Sequence, residues 1–202
     1  MFGLTKKEMS TLKKLSTPIK IQDFLDTIPM NFEDEGDTHY SPREVLRRHT
    51  AHCIEGALLA TAALWVHGEE PLIMDMLAEK GDDDHVVALY RRGGRWGAIS
   101  KTNHASLRFR DPIYRTPREL ALSYFHEWFK NSNGRKTLRS YSSPFNLKKL
   151  GPGWITADDV WAVSKTLDHI HHHEIIPQGN ARYIRPADPM ERRAGRLTEW
   201  KK

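Results

Sequence analysis

Fifteen consecutive residues, 53–67 (CIEGALLATAALWVH), constrain this chain more than any other stretch. They are strong helix formers, and Ile54, Ala57, Leu58, Thr61, Ala62 and Trp65 recur at spacings of three and four, the period of a buried helical face. Gly68 follows the last periodic residue and stops the helix. Gly56, Ala57, Ala60, Ala62 and Ala63 are small enough to let other elements approach closely. The segment is therefore expected to be a central buried helix, with the rest of the fold built around it.

The flanking segments suggest what surrounds that helix. Ser41, Pro42 and Glu44 form an N-cap, a first-turn proline and an early carboxylate, which start a helix over about residues 42–49. Residues 71–78 (PLIMDMLA) are apolar between breakers; they suit a strand, and their length also permits a helix. After an acidic turn at 81–84, residues 85–90 and 96–101 read as a hairpin closed by Gly93 and Gly94. Thr116, Pro117 and Glu119 open a further helix to about residue 130, with Leu120, Tyr124, Phe125 and Trp128 as its apolar stripe. Residues 131–153 read as a long polar loop, and Thr156 as the cap of a third helix through Val160, Trp161, Val163 and Leu167. The first 40 residues read as a short helix and a loop, from which Leu12, Leu15, Ile19 and Ile21 pack on the body. The expectation is one α+β domain over residues 1–176, core 41–130, with a central helix on a small antiparallel β-sheet and peripheral helices. Residues 177–202 are expected to be a poorly ordered C-terminal tail.

Composition narrows the class of function. The 31 Lys and Arg against 26 Asp and Glu leave a net charge of +5, but the basic residues are scattered along the chain, which disfavours nucleic acid as a partner. One cysteine excludes an internal disulfide, and the first residues (MFGLTKKEMS) lack the apolar stretch of a secretory signal, so a reducing, cytoplasmic setting is expected. No run of 18 apolar residues suggests a membrane span.

The one cysteine stands where the central helix should begin. A helix N-terminus favours a thiolate through its unpaired N–H groups and the positive end of its dipole, and the same groups can bind an oxyanion. His85 opens a strand directly after a turn, a workable place for a general base. With a two-residue turn at Gly93 and Gly94, Ala88 should pair with Ile99, which puts His85, Val87, Ser100 and Thr102 on one face of the sheet. Ser100 is then a diagonal neighbour of His85 and a candidate acceptor for its ring N–H. The plainer alternative is that Cys53 is a small core residue and His85 an exposed one.

The order of a cysteine opening a helix (HCIEGALLA), a strand-borne histidine (DDDHVVALY), and a glycine hairpin with a tryptophan-led return strand (GGRWGAIS) resembles the core of the transglutaminase-like superfamily, distantly similar to papain-type proteases. The resemblance covers about residues 41–103. It implies a transglutaminase-like, cysteine proteinase-like fold, Cys53 as nucleophile, His85 as base, and acyl transfer through an acyl-enzyme, with a peptide, protein or small amide as substrate and no cofactor or metal. The family usually carries an aspartate four residues after the tryptophan, where this chain has Ser100. Asn103 is a second candidate for the third position, since papain-like enzymes use asparagine there. The departure also admits a catalytically degenerate member that only binds.

Rival features carry less. His169, His171, His172, His173 and Glu174 could ligate a metal, but helical spacing gives two convergent imidazoles at most, and a helix-end cap explains them. His49, Cys53 and His85 could imitate a metal site if they converge; one thiolate and no carboxylate-rich motif rank this below catalysis, although His52 could flank the active site. Glu55 is accounted for by the helix dipole. Arg108 and Arg110 around Phe109 suggest a third strand with a solvated basic face.

Overall fold

A computed structural model describes residues 2–34 and 36–201. In chain order its elements are α1 (Lys6–Lys14), α2 (Pro18–Asp26), α3 (Pro42–Arg48), α4 (Cys53–Val66), β1 (Leu72–Ala78), β2 (His85–Arg92), β3 (Arg95–Ile99), β4 (Arg110–Tyr114), α5 (Pro117–Phe125), β5 (Leu138–Ser142), β6 (Phe145–Asn146), α6 (Trp161–His169), β7 (His172–Glu174) and α7 (Pro189–Gly195). The architecture is α+β. The helix starts are written in the sequence: Thr5, Thr17, Ser41 and Thr116 each accept the N–H three residues on, and proline opens α2, α3 and α5.

The sheet is antiparallel and larger than expected, seven strands in the order β4-β3-β2-β1-β5-β7 with β6 also on β1. The hairpin register pairs Ala88 with Ile99 around the Gly93–Gly94 turn. Side chains alternate between two cores. Ile73, Val86, Ala88, Tyr90 and Ile99 pack towards α4, while Met74, Met76, Val87, Leu89 and Ala98 pack towards Leu120, Ala121, Tyr124 and Trp128. A strand covered on both faces needs apolar residues throughout, which is why residues 71–78 show no period of two. From Ile54 to Leu64 every residue of α4 is buried, enclosed by α1, α2, α3 and β2.

Several expectations are revised. The N-terminal region forms two helices, and Leu12, Leu15 and Ile21 are buried whereas Ile19 is exposed. The stretch 131–153 contains β5 and β6. Its buried positions include Thr137, Ser140 and Ser142, and Ser142 Oγ accepts the Asp75 N–H at 3.0 Å, so polar side chains occupy core positions by bonding to the backbone. Thr156 ends a 3-10 turn; the residue before α6 is Val160, whose N–H donates to His39 O at 2.8 Å. The histidine cluster divides after His169, since His172–Glu174 is a strand on β5. Arg110 is not solvated: its guanidinium lies 4.2 Å from the Tyr124 ring centroid and 2.7 Å from Glu127. The C-terminal segment is folded against the body, with Ala187 N donating to Gly134 O and Ala105 N to Leu197 O. Among the described residues, no helix is long and apolar enough to cross a membrane.

Candidate active site

The start of α4 is fixed by what precedes it. His49 adopts a left-handed conformation that ends α3, and Ala51 then bridges Met30, so the chain turns sharply before His52. His52 is extended and forms the N-cap; its N–H donates to Glu55 Oε2 at 2.9 Å. Cys53 is the first helical residue, beside the N–H groups that a first turn cannot use internally. Its sulfur is half-buried, 4.0 Å from His52 Nδ1 and 4.0 Å from Asp84 O, at the seam between α4 and the turn leading into β2.

His85, the first residue of β2, is 5% exposed and has the Trp128 ring edge-on at 6.0 Å. Its Nε2 lies 2.8 Å from Ser100 Oγ, which in turn donates to Leu107 O at 2.5 Å. A carbonyl oxygen only accepts, so the serine hydrogen is committed to Leu107 and the hydroxyl accepts from His85 Nε2–H. That leaves Nδ1 as the basic nitrogen. Ser100 is itself held by Gln22 of α2, whose side chain accepts from Ser100 N and donates to Ser100 O, both at 2.9 Å. Lys101 adds a second tie: its buried Nζ donates to Leu25 O at 3.0 Å and to Ile28 O, and its stem lies against Gly56 on α4.

Cys53, His85 and His52 line one cleft of about 680 Å³, with the acidic turn Asp82–Asp84 on its lip. Burial acts to raise the Cys53 pKa, but the His52 and His85 imidazoles beside it outweigh that and bring the thiol down to about 5. Asn103 also lines the cleft, but its amide is committed elsewhere: Nδ2 donates to Trp200 O at 3.0 Å and Oδ1 accepts from Trp200 N at 2.8 Å. It ties down the C-terminal segment rather than His85. Among the described residues, no group of three or more His, Cys, Asp or Glu side chains is placed to hold a metal ion.

Sequence reasoning missed two contributors. Gln22 lies on α2, in a region expected to hold one short helix and a loop, and nothing marks it in the sequence. Glu55 is fully buried rather than a surface partner of the helix dipole; its spacing of three from His52, that of a capping box, was the available signal.

No family model matches this chain, and no curated protein matches its sequence. Among solved structures it is similar to Legionella pneumophila LapG, at 12% identity and a TM-score of 0.43 over 73% of this chain and 80% of that one. The EGTA-treated form of LapG gives the same identity and TM-score over 72% of this chain and 80% of that one. The likeness is distant and concerns overall shape.

Proposed function

We propose that the cleft is the active site of a transglutaminase-like cysteine hydrolase or acyltransferase that cuts an amide or peptide bond through Cys53 and His85. The observation that carries this reading is a sulfur at the head of a buried helix, in an open cleft that it shares with the His52 and His85 imidazoles, a setting that lowers the thiol pKa. The thiolate attacks the carbonyl carbon, and the oxyanion finds the first-turn N–H groups of α4. The leaving amine takes a proton from an imidazolium of the site. Water or a second amine then attacks the thioester, and His85 Nδ1 receives its proton while Nε2–H stays on Ser100.

A second reading, a member of the fold that binds without turnover, is favoured by Ser100. A hydroxyl orients His85 but supplies no charge to stabilise its imidazolium. Alkylation by iodoacetamide across pH, combined with mass spectrometry during incubation with p-nitrophenyl acetate, separates the two. The enzyme is expected to alkylate with a midpoint near pH 5 and to form and clear an acetyl group on Cys53, with Cys53→Ala inert in both. A midpoint near the ordinary thiol pKa of about 8.5 removes the nucleophile. A low midpoint with a stable, unreleased acetyl group supports the binding protein.

A further inference from the structure

Glu55 is the most enclosed carboxylate near the cleft, with no exposed surface. It accepts hydrogen bonds from Tyr40 N and Thr38 Oγ1 at 2.8 Å, from His52 N at 2.9 Å and from Asn31 Nδ2 at 3.1 Å. A buried carboxylate so held stays ionised and calls for a cation beside it. Among the described residues no lysine or arginine forms an ion pair with it. His52 does, with Nε2 3.3 Å from Glu55 Oε1.

The orientation of that imidazole is also fixed. His52 Nε2 lies 2.9 Å from Thr38 O, an oxygen that only accepts, so Nε2 carries hydrogen in either charge state. Nδ1 is therefore where a proton is gained or lost, and Nδ1 faces Cys53 Sγ at 4.0 Å. Carboxylate, imidazole and sulfur thus stand in sequence within four consecutive residues, on a branch separate from His85 and Ser100. The carboxylate that the family resemblance leads one to expect beside His85 stands here beside the other histidine.

We infer that His52 is a second catalytic imidazole of this site, with Glu55 as its positioning residue: His52 Nδ1 takes the thiol proton and keeps Cys53 as thiolate, leaving His85 to serve the nucleophile that resolves the acyl-enzyme. The inference rests on the reading of Cys53 as a nucleophile. The step balances within the site, since one proton moves from Sγ to Nδ1 and a neutral pair becomes an ion pair. On cleavage the leaving amine takes that proton and leaves His52 neutral; the attacking water or amine then gives a proton to His85, and its passage to His52 through solvent in the cleft restores the resting ion pair.

The surrounding charges agree with this assignment. Burial acts to lower the His52 pKa, but the hydrogen bonds to Cys53 and Glu55 and their charges outweigh it and lift it to about 11. An imidazolium at a helix N-terminus opposes the dipole, so it needs these anions to persist. The titratable groups facing it are Cys53 and Glu55 on its own helix, Glu33 at 3.6 Å and His39 with ring centroids at 5.8 Å on the preceding segment, and His85 and Asp84 across the cleft.

The test is the pH profile of Cys53 alkylation in the full chain, wild type against His52→Gln, Glu55→Gln and His85→Gln, with thioester decay measured in parallel. His52→Gln is expected to raise the midpoint by about two pH units, Glu55→Gln by about one, and His85→Gln by less than His52→Gln while it slows thioester decay at least about tenfold. A wild-type midpoint in the ordinary thiol range sinks the reading of Cys53 itself. A low wild-type midpoint that His52→Gln leaves in place and His85→Gln raises overturns the inference alone. Should His52→Gln not fold, nitrogen-15 titration of the histidines answers the same question. The His52 midpoint is expected to drop by at least about one pH unit on Cys53→Ser, and an unchanged midpoint overturns the assignment.

Discussion

Lys101 is 1% exposed, and its ammonium donates to Leu25 O and Ile28 O where α2 ends. Burial dominates its titration and lowers its pKa from 10.5 to about 8. At about 1.4 kcal/mol for each tenfold change, a fall of about 2.5 in pKa corresponds to about 3 kcal/mol. The sign follows from proton counting. Below pH 8 both folded and unfolded chains hold the proton, and the native state carries the full cost of an ammonium in its core. Between about pH 8 and pH 10.5 the native state releases the proton while the unfolded chain keeps it, so stability rises with pH and the relief is complete above that window. Lys101→Met keeps the length of the stem against Gly56 and removes the titration, while leaving two carbonyls unpaired at a cost that does not vary with pH. Urea denaturation of both proteins at about pH 7 and about pH 10 should show the stability of wild type minus variant increasing by up to about 3 kcal/mol, since every other titrating group cancels in the difference. A flat difference would mean that the ammonium is as well solvated by two carbonyls as by water, and a decreasing one that burial stabilises its charge. Either result refutes the argument.

Two further substitutions probe the frame of the site. Ser100→Ala leaves His85 Nε2–H and Leu107 O without the hydroxyl between them; thermal unfolding should register a loss of about 1–3 kcal/mol, and thioester decay should slow because the ring can turn over. Gly97→Ala puts a methyl group 2.6 Å from Tyr90 Oη and 2.7 Å from Arg110 O, where β3 passes between its neighbours; with backbone on one side the strand cannot yield, and a loss of at least about 3 kcal/mol or failure to fold is expected in a thermal scan.

The parts of the fold read from sequence share one property: local signals and burial agree in them. Residues 53–67 and the hairpin after His85 carry periodicity and turn glycines that name their own structure, and the diagonal proximity of Ser100 to His85 follows from the register alone. The parts that escaped are those in which tertiary bonding replaces hydrophobicity. Strand β5 hides because Ser140 and Ser142 are buried, and the role of Gln22 hides because its amide meets Ser100 from 78 positions away. Glu55 illustrates the limit most sharply. Its chemistry depends on Asn31, Thr38 and Tyr40 closing over it, and the capping-box spacing from His52 does not distinguish a carboxylate at a solvated helix start from one sealed beneath a loop.

The hydroxyl beneath His85 points where it does because Leu107 O is there to receive its hydrogen, and the segment bearing Leu107 is pinned by the far end of the chain. Ala105 bonds to Leu197, Asn103 grips Trp200, and Arg108 pairs with Glu199. The tautomer of an imidazole in the cleft is thus wired to residues more than a hundred positions downstream. Peeling this strap away leaves Leu107 held through its N–H on Glu127 Oε2 at 2.9 Å and removes the downstream support of the carbonyl that fixes the serine hydrogen and, with it, which ring nitrogen is basic.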